Sequence, residues 1–219
     1  MDRVAVLASG GLDSAILIAG IARSEAVCPL YVAAGLVWER EEREALHRFL
    51  DVLASPNVQP VVELTVPVKP LLGESHWSVA GQGVPGADTP DEAMFIPGRN
   101  ILLLSLGAIW CSTHDVSRIA IGSLGGNPFP DATPEFFAAF GRSLSMGLGH
   151  DVTIEAPFRD QKKSALIAAH HDLPLELTLT CANPRDGMHC GACNKCFERH
   201  AAFVAAGVAD KTRYAAAMP

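Results

Sequence analysis

Residues 4–19 constrain this chain more than any other stretch. An apolar run over residues 4–8 meets Ser9-Gly10-Gly11-Leu12-Asp13-Ser14, and a second apolar run over 15–19 follows at once. That order reads as strand, glycine turn, helix. Such a turn leaves backbone N–H groups free at a helix N-terminus, where the helix dipole adds partial positive charge and favours an anion. Gly10 and Gly11 permit close approach and positive φ, and the Ser9 and Ser14 hydroxyls can donate hydrogen bonds. A phosphate is the expected anion. The string has neither the Gly-Lys-Ser/Thr ending of a Walker loop nor the G-x-G-x-x-G spacing of a dinucleotide site. The plainer reading is a glycine turn with Asp13 and Ser14 capping a helix.

The remaining pattern repeats the strand-and-helix alternation. After a first helix ending near Ser24, residues 27–34 form an apolar strand. Residues 39–53 place Ala45, Leu46, Phe49, Leu50 and Leu53 on one helical face, with Glu41, Glu42, Arg43 and Glu44 mostly outward as a solvated face. A third strand over 58–66 completes β-α-β-α-β, whose crossovers imply a parallel sheet. Residues 67–97 are dense in proline and glycine and lack periodicity, so a long loop is expected, a candidate lid over a substrate. His76 and Trp77 either stack on a ligand there or pin the loop to the surface. An apolar helix to about Ser112 follows, with Asn100 placed to cap it. Residues 118–122 form a fourth strand whose exit loop, 123–131, should face the same crevice as the first turn. A helix from Thr133 to about Leu148, a strand over 151–156 and a helix through His170 end the pattern. The expected fold class is α/β, an open and mainly parallel five-stranded sheet with helices on both faces.

The chain has 219 residues, ample for one such domain with a small appendage, and 49% of them are hydrophobic. A net charge of −7 leaves no electrostatic footprint for non-specific nucleic-acid binding, which favours a small-molecule substrate. The apolar runs at 15–22 and 101–111 fall short of the roughly 20 residues that cross a bilayer, and Met1-Asp2-Arg3 begins no signal peptide. No membrane association and a cytoplasmic location are expected.

Four of the six cysteines follow the spacing Cys181-x8-Cys190-x2-Cys193-x2-Cys196. Short C-x-x-C turns direct paired sulfurs at one ion, so four thiolates here suit tetrahedral Zn²⁺, a closed and structural shell. His189 could replace one ligand, and an iron–sulfur cluster is the alternative cargo. Cys28 and Cys111 lie in apolar runs and read as core.

Ser-Gly-Gly-x-Asp-Ser at residues 9–14 resembles the pyrophosphate loop of the ATP pyrophosphatases, which cleave ATP between the α and β phosphates and adenylate a substrate. Further matches are Ile96-Pro97-Gly98-Arg99-Asn100, Pro130-Asp131-x-x-Pro134-Glu135-Phe136, Lys163, and the four cysteines followed by Phe197-Glu198-Arg199-x-Ala201-Ala202-Phe203. In that order and spacing the chain resembles the 7-cyano-7-deazaguanine synthases over nearly its whole length. The resemblance implies an adenine-nucleotide-hydrolase-like domain over 1–175, with a zinc-bound helical segment over 176–219 packed on it. It implies ATP-dependent conversion of 7-carboxy-7-deazaguanine and ammonia to the nitrile through adenylated intermediates. Ser9, Gly10, Gly11, Leu12, Asp13 and Ser14 would hold the pyrophosphate of ATP, with Asp13 orienting the loop or binding Mg²⁺. Arg99 and Lys163 would face phosphate or the substrate carboxylate, and Asp131, Phe129 and Trp38 would meet the base. Cys181, Cys190, Cys193 and Cys196 would bind Zn²⁺. A homodimer is implied as well, and no nucleic-acid partner.

Three stretches depart from the family pattern, one of them Phe158-Arg159-Asp160-Gln161-Lys162, in place of an apolar stretch before Lys163, with Ala165 where a glutamate is usual. Residues 33–40, Ala-Ala-Gly-Leu-Val-Trp-Glu-Arg, keep only the glycine of the usual aspartate-tyrosine-glycine-glutamine-arginine-histidine, and the loop over 125–131 is short and lacks its acidic character. The rival readings are an ATP pyrophosphatase that forms an amide on another carboxylate, a tRNA-modifying relative, and an inactive nucleotide-binding regulator.

Overall fold

The structure, a computed structural model, describes residues 3–218. The chain begins β1 (Arg3–Leu7), α1 (Leu12–Ile21), β2 (Ala26–Ala33), α2 (Glu39–Leu53), β3 (Val62–Thr65). Two four-residue helices, α3 (Lys69–Leu72) and α4 (Trp77–Ala80), precede α5 (Arg99–Thr113) and β4 (Arg118–Ala120). Then come α6 (Pro134–Leu148), β5 (Thr153–Glu155), α7 (Lys163–Ala169) and α8 (Asn194–Ala206).

The five strands form one parallel sheet in the order β3-β2-β1-β4-β5. β1 sits in the middle because it is apolar on both sides, and successive strand side chains point to opposite faces. Val4, Val6 and Ala8 pack with Leu17, Ile18 and Leu46 of α1 and α2. Ala5 and Leu7 pack with Leu104, Ala108 and Cys111 of α5. Helices cover both faces, as an all-parallel sheet requires. Each leucine or isoleucine fully buried in these layers contributes roughly 1.5–3 kcal/mol. Strand order reverses between β1 and β4, which opens a crevice at their carboxyl ends. Among the described residues, no helix is long and apolar enough to cross a membrane.

Three local features differ from the sequence pattern. The third strand is shorter than 58–66: Val58 makes an isolated parallel bridge to Val27, and the ladder resumes only at Val62. Pro60 has no N–H to donate and splits the run. Asn100 does not cap α5, whose N-cap is Gly98 at φ +70°. Instead the Asp131 carboxylate accepts the Asn100 N–H at 3.0 Å, and the Asn100 amide donates to the Asp131 carbonyl at 3.1 Å. Residues 67–97 are stitched to the cysteine segment. Gly86 bridges to Cys193, the Asn194 N–H donates to the Pro85 carbonyl, and the Asn194 side chain donates to the Thr89 carbonyl.

At the C-terminal end, Ala202 and Phe203 of α8 pack with Leu166 and Ile167 of α7 and with Leu12 and Ile16 of α1. Arg199 is wholly buried, and its guanidinium donates to Thr178, Thr180, Thr212 and the Leu175 carbonyl. These bonds offset the desolvation of a charge that has no carboxylate in contact among the described residues.

Candidate active site

The loop between β1 and α1 is braced from within. At Gly10 φ is +70°, and a Cβ there would stand 2.2 Å from the Glu42 carbonyl oxygen, so both conformation and space demand glycine. Its carbonyl accepts the Leu179 N–H at 2.8 Å. Gly11 departs from the expected positive φ: it is the N-cap of α1 at φ −76°. No side chain caps α1, so Asp13 and Ser14 leave the first-turn N–H groups of this ten-residue helix open. Ser14 Oγ donates to the Gly11 carbonyl at 3.1 Å and accepts from the Ser9 N–H at 3.3 Å. The serines hold the loop's shape, and the N–H groups left open toward an anion are those of the backbone that follows it.

Charged side chains converge on this loop from α1, α7 and α8. Lys163 Nζ lies 3.4 Å from Asp13 Oδ2 and 2.6 Å from Glu198 Oε1, and Lys195 Nζ lies 2.8 Å from Glu198 Oε2. Burial works to lower the Lys163 pKa, but the Asp13 and Glu198 carboxylates outweigh it and hold the ammonium above the ordinary lysine value. Burial likewise works to raise Glu198, yet Lys163 and Lys195 hold it down at about 2. For Asp13 burial prevails and pushes the carboxyl up, with Lys163 opposing. Among the described residues, Asp13 Oδ1 and Ser123 Oγ are buried without a hydrogen-bond partner. An orphaned carboxylate oxygen beside open N–H groups and two ammoniums fits Mg²⁺ and phosphate.

A cavity of about 310 Å³ lies over the loop, near the lower end of the roughly 300–1,000 Å³ usual for small-molecule sites. Its lining includes Ser9, Gly11, Leu12, Asp13, Ser14 and Lys163, while Gly10 backs the loop against α2. Arg99, the first residue of α5, also lines it. Trp38 stacks on Trp77 of the 67–97 segment with ring centroids 5.7 Å apart, and Phe129 tilts against Phe95 at 5.3 Å. All four rings line the cavity, so the segment forms part of its wall. Asp131 lines it too, with its carboxylate held at the start of α5 by Asn100. The site therefore gathers Asp13, Arg99, Lys163, Asp131, Phe129 and Trp38 around one space.

Sequence reasoning missed Glu42, Lys195 and Glu198, which line the same cavity. Lys195 and Glu198 stand three residues apart, one helical turn, directly after Cys193, a spacing that puts both on one face of any helix begun there. Glu42 lay hidden in a charge run read as solvated.

The four cysteine sulfurs lie within 4.8 Å of one another, and all four side chains are buried and free of disulfides. Neighbouring Sγ atoms are 3.5 to 4.0 Å apart. Four thiolates at 2.3 Å from a tetrahedral zinc stand about 3.8 Å from each other, so the donor set fits that ion. Backbone N–H groups of Asn183, Cys190, Ala192 and Cys193 point at Cys181 and Cys190 sulfurs, which favours thiolates. His189 is not a ligand: its Nε2 accepts the Thr180 N–H at 2.9 Å, and burial drives its pKa down to about 3.

Comparison with known proteins agrees with this geometry. Residues 3–207 match the family of the queuosine biosynthesis protein QueC. A 7-cyano-7-deazaguanine synthase of Methanothermobacter thermautotrophicus is 30% identical, covering 98% of this chain and 99% of that protein. Enzymes of the same name from Ectopseudomonas mendocina and Methylobacillus flagellatus are each 32% identical over 97% of the chain and nearly all of their own length. With a family match over almost the entire sequence and relatives aligned end to end, this chain belongs to the QueC family of queuosine biosynthesis proteins.

Proposed function

We propose that this protein is a synthase that converts 7-carboxy-7-deazaguanine and ammonia to 7-cyano-7-deazaguanine, with ATP as the activating co-substrate. One observation carries the reading: the open N–H groups of α1, the Asp13 carboxylate and the Lys163 and Lys195 ammoniums share one aromatic-walled cavity in a member of this family. The relatives' printed name supplies the product.

In the first step the substrate carboxylate displaces pyrophosphate at the α-phosphorus, giving an acyl-adenylate. Ammonia then displaces AMP and loses a proton, leaving the amide. The amide oxygen attacks a second α-phosphorus, again releasing pyrophosphate; the nitrogen gives up one proton to leave an imidate adenylate, and loss of AMP with the second proton yields the nitrile. Negative charge grows on phosphoryl oxygens in each adenylation, so fixed donors are the main catalytic device, each worth about 10²–10³ in kcat. Ser9 and the α1 N–H groups cradle the departing pyrophosphate. Lys163 and Lys195 neutralise it, with Glu198 aiming both ammoniums. Arg99, at the start of α5, binds phosphate or the substrate carboxylate. Asp13 Oδ1 would hold Mg²⁺, which would supply charge stabilisation on the phosphates when bound. The four cysteines would hold Zn²⁺ as a structural ion. Residues 1–175 serve as the nucleotide-binding part and 176–219 as the metal segment that completes the site.

A second reading, an amide product on another carboxylate, draws support from residues 33–40, where apolar Leu36 and Trp38 are buried beside the site in place of the family's polar pattern. Product analysis with Mg-ATP, ammonium and 7-carboxy-7-deazaguanine separates the two. AMP with nitrile is the expected result. AMP with accumulating amide would favour the second reading, and no AMP from metal-replete protein would overturn both for this acid.

A further inference from the structure

Four carboxyl side chains line the cavity: Asp13, Glu42, Asp131 and Glu198. Three are engaged, Asp13 by Lys163, Glu198 by Lys163 and Lys195, and Asp131 by the backbone and amide of Asn100. Glu42 alone has no cation or amide in contact among the described residues. Its Oε2 accepts from the Tyr31 hydroxyl at 3.3 Å, which also reaches the Glu39 carbonyl at 3.2 Å, and the Trp38 indole N–H is a second donor turned toward this carboxylate.

The placement of Glu42 is fixed rather than incidental. Its carbonyl oxygen abuts Gly10, so the backbone of α2 at this position is seated on the phosphate loop. Glu42 also follows Trp38 by one helical turn, so the acceptor and the Trp38–Trp77 pair face the same space. Neighbouring acids on α2 are used elsewhere: Glu39 accepts the Ala34 N–H, and Glu41 pairs with Arg40. Arg99 acts on Glu42 from α5, yet burial dominates and pushes the carboxyl up to about 8. A half-buried carboxyl with no cation in contact among the described residues, beside a flat aromatic wall, suits a planar ligand that brings its own pair of N–H donors.

We propose that Glu42 is the specificity-determining residue for the substrate base, its two carboxylate oxygens accepting the ring N–H and the exocyclic amino group of a guanine-type edge. The assignment rests on the deazapurine reading above. It gives the cavity an acceptor that Asp131, committed to the start of α5, does not provide.

The test is a tryptophan-fluorescence titration without ATP, at a pH above the raised carboxyl pKa. The probes are 7-carboxy-7-deazaguanine and its analogue lacking the 2-amino group, with Trp38 and Trp77 as reporters. Wild-type protein is expected to favour the amino compound by at least about tenfold, since a site built to accept a hydrogen bond rejects a ligand lacking the donor. Glu42→Gln, which turns an amide N–H toward the amino group, is expected to abolish that preference, and Glu42→Asp to retain part of it. Steady-state rates should show the same loss in kcat/KM for the acid, with KM for ATP within about twofold. A Glu42→Gln protein that keeps the preference, or a folded wild type that shows none while still making nitrile, overturns the role of Glu42 and leaves the proposed reaction standing. A wild type that neither binds nor converts the acid overturns both.

Discussion

Lys163 Nζ stands 2.6 Å from Glu198 Oε1, so the helix after the fifth strand is locked to the helix that the cysteine cluster begins. Lys195 adds a second ammonium at 2.8 Å, and together they hold Glu198 down at about 2 against the upward push of burial. A depressed carboxylate pKa contributes stability that is present above the unfolded value of 4.5 and is lost as pH falls from there toward about 2. Wild-type protein is expected to lose thermal stability through that window. Glu198→Gln should start about 2 kcal/mol less stable at neutral pH and show a flatter acid profile. Superimposable profiles would remove the network from the stability of the fold.

Asp13 has the opposite sign. Its carboxyl is raised above 3.8, so the folded state holds that proton more tightly than the unfolded chain, and ionisation at neutral pH opposes folding. Asp13→Asn keeps the shape and removes the charge. Its unfolding free energy in urea should equal or exceed that of wild type, while AMP formation falls by at least about 100-fold. Unchanged turnover would take Asp13 out of the chemistry.

The parts of this molecule that the sequence made legible are those set by neighbours along the chain. The apolar run at residues 4–8, the glycine turn and the C-x-x-C pairs each need only a few consecutive residues, and they lead to the observed strand, loop and cysteine cluster. What stayed hidden depends on distant stretches meeting. Glu42 reads as solvated until α2 is seated on Gly10, which turns that side chain to the cavity. Asn100 has the position of a helix cap, but Asp131, 31 residues further on, takes the role. Arg199 gives no sign of burial because its partners, Thr178, Thr180 and Thr212, lie on both sides of it in the chain.

The proposed zinc site should couple to the rest of the cavity. Cys193 is the N-cap of α8, the helix carrying Lys195 and Glu198, and it bridges Gly86 of the 67–97 segment. Cys193→Ala is expected to lose the metal, lower the melting temperature and expose residues 67–97 to limited proteolysis, because metal binding and folding of such a segment are linked. Elemental analysis and digestion fragments report this independently of activity. A fully metallated variant with wild-type melting and cleavage would sink the assignment.

The Asp131–Asn100 contact is open to a double-mutant cycle. Asp131→Ala removes the carboxylate from the first turn of α5, and Asn100→Ala removes the amide that orients it. Loss of a helix cap costs about 1 kcal/mol, and residues in one hydrogen-bond network couple by about 0.5–3 kcal/mol. The double variant should therefore be more stable than the sum of the single losses implies. Strict additivity would mean that Asp131 is held by something other than Asn100.

Gly10 and Gly35 separate conformational strain from steric contact. Both have positive φ, +70° and +85°, so alanine at either pays the left-handed penalty of roughly 1–2 kcal/mol. At Gly35 an added Cβ meets nothing within 4 Å, whereas at Gly10 it falls 2.2 Å from the Glu42 carbonyl oxygen. That oxygen belongs to a helix backbone and cannot swing aside, so α2 or the β1–α1 loop must move. Gly10→Ala should lose about 1–3 kcal/mol more than Gly35→Ala, the usual range for overpacking, and should weaken nucleotide binding as well. Urea unfolding and ATP titration on the two variants measure both effects. Equal losses would mean that α2 yields at this contact, and the seating of Glu42 over the site would then come from Tyr31 and Trp38 rather than from the loop.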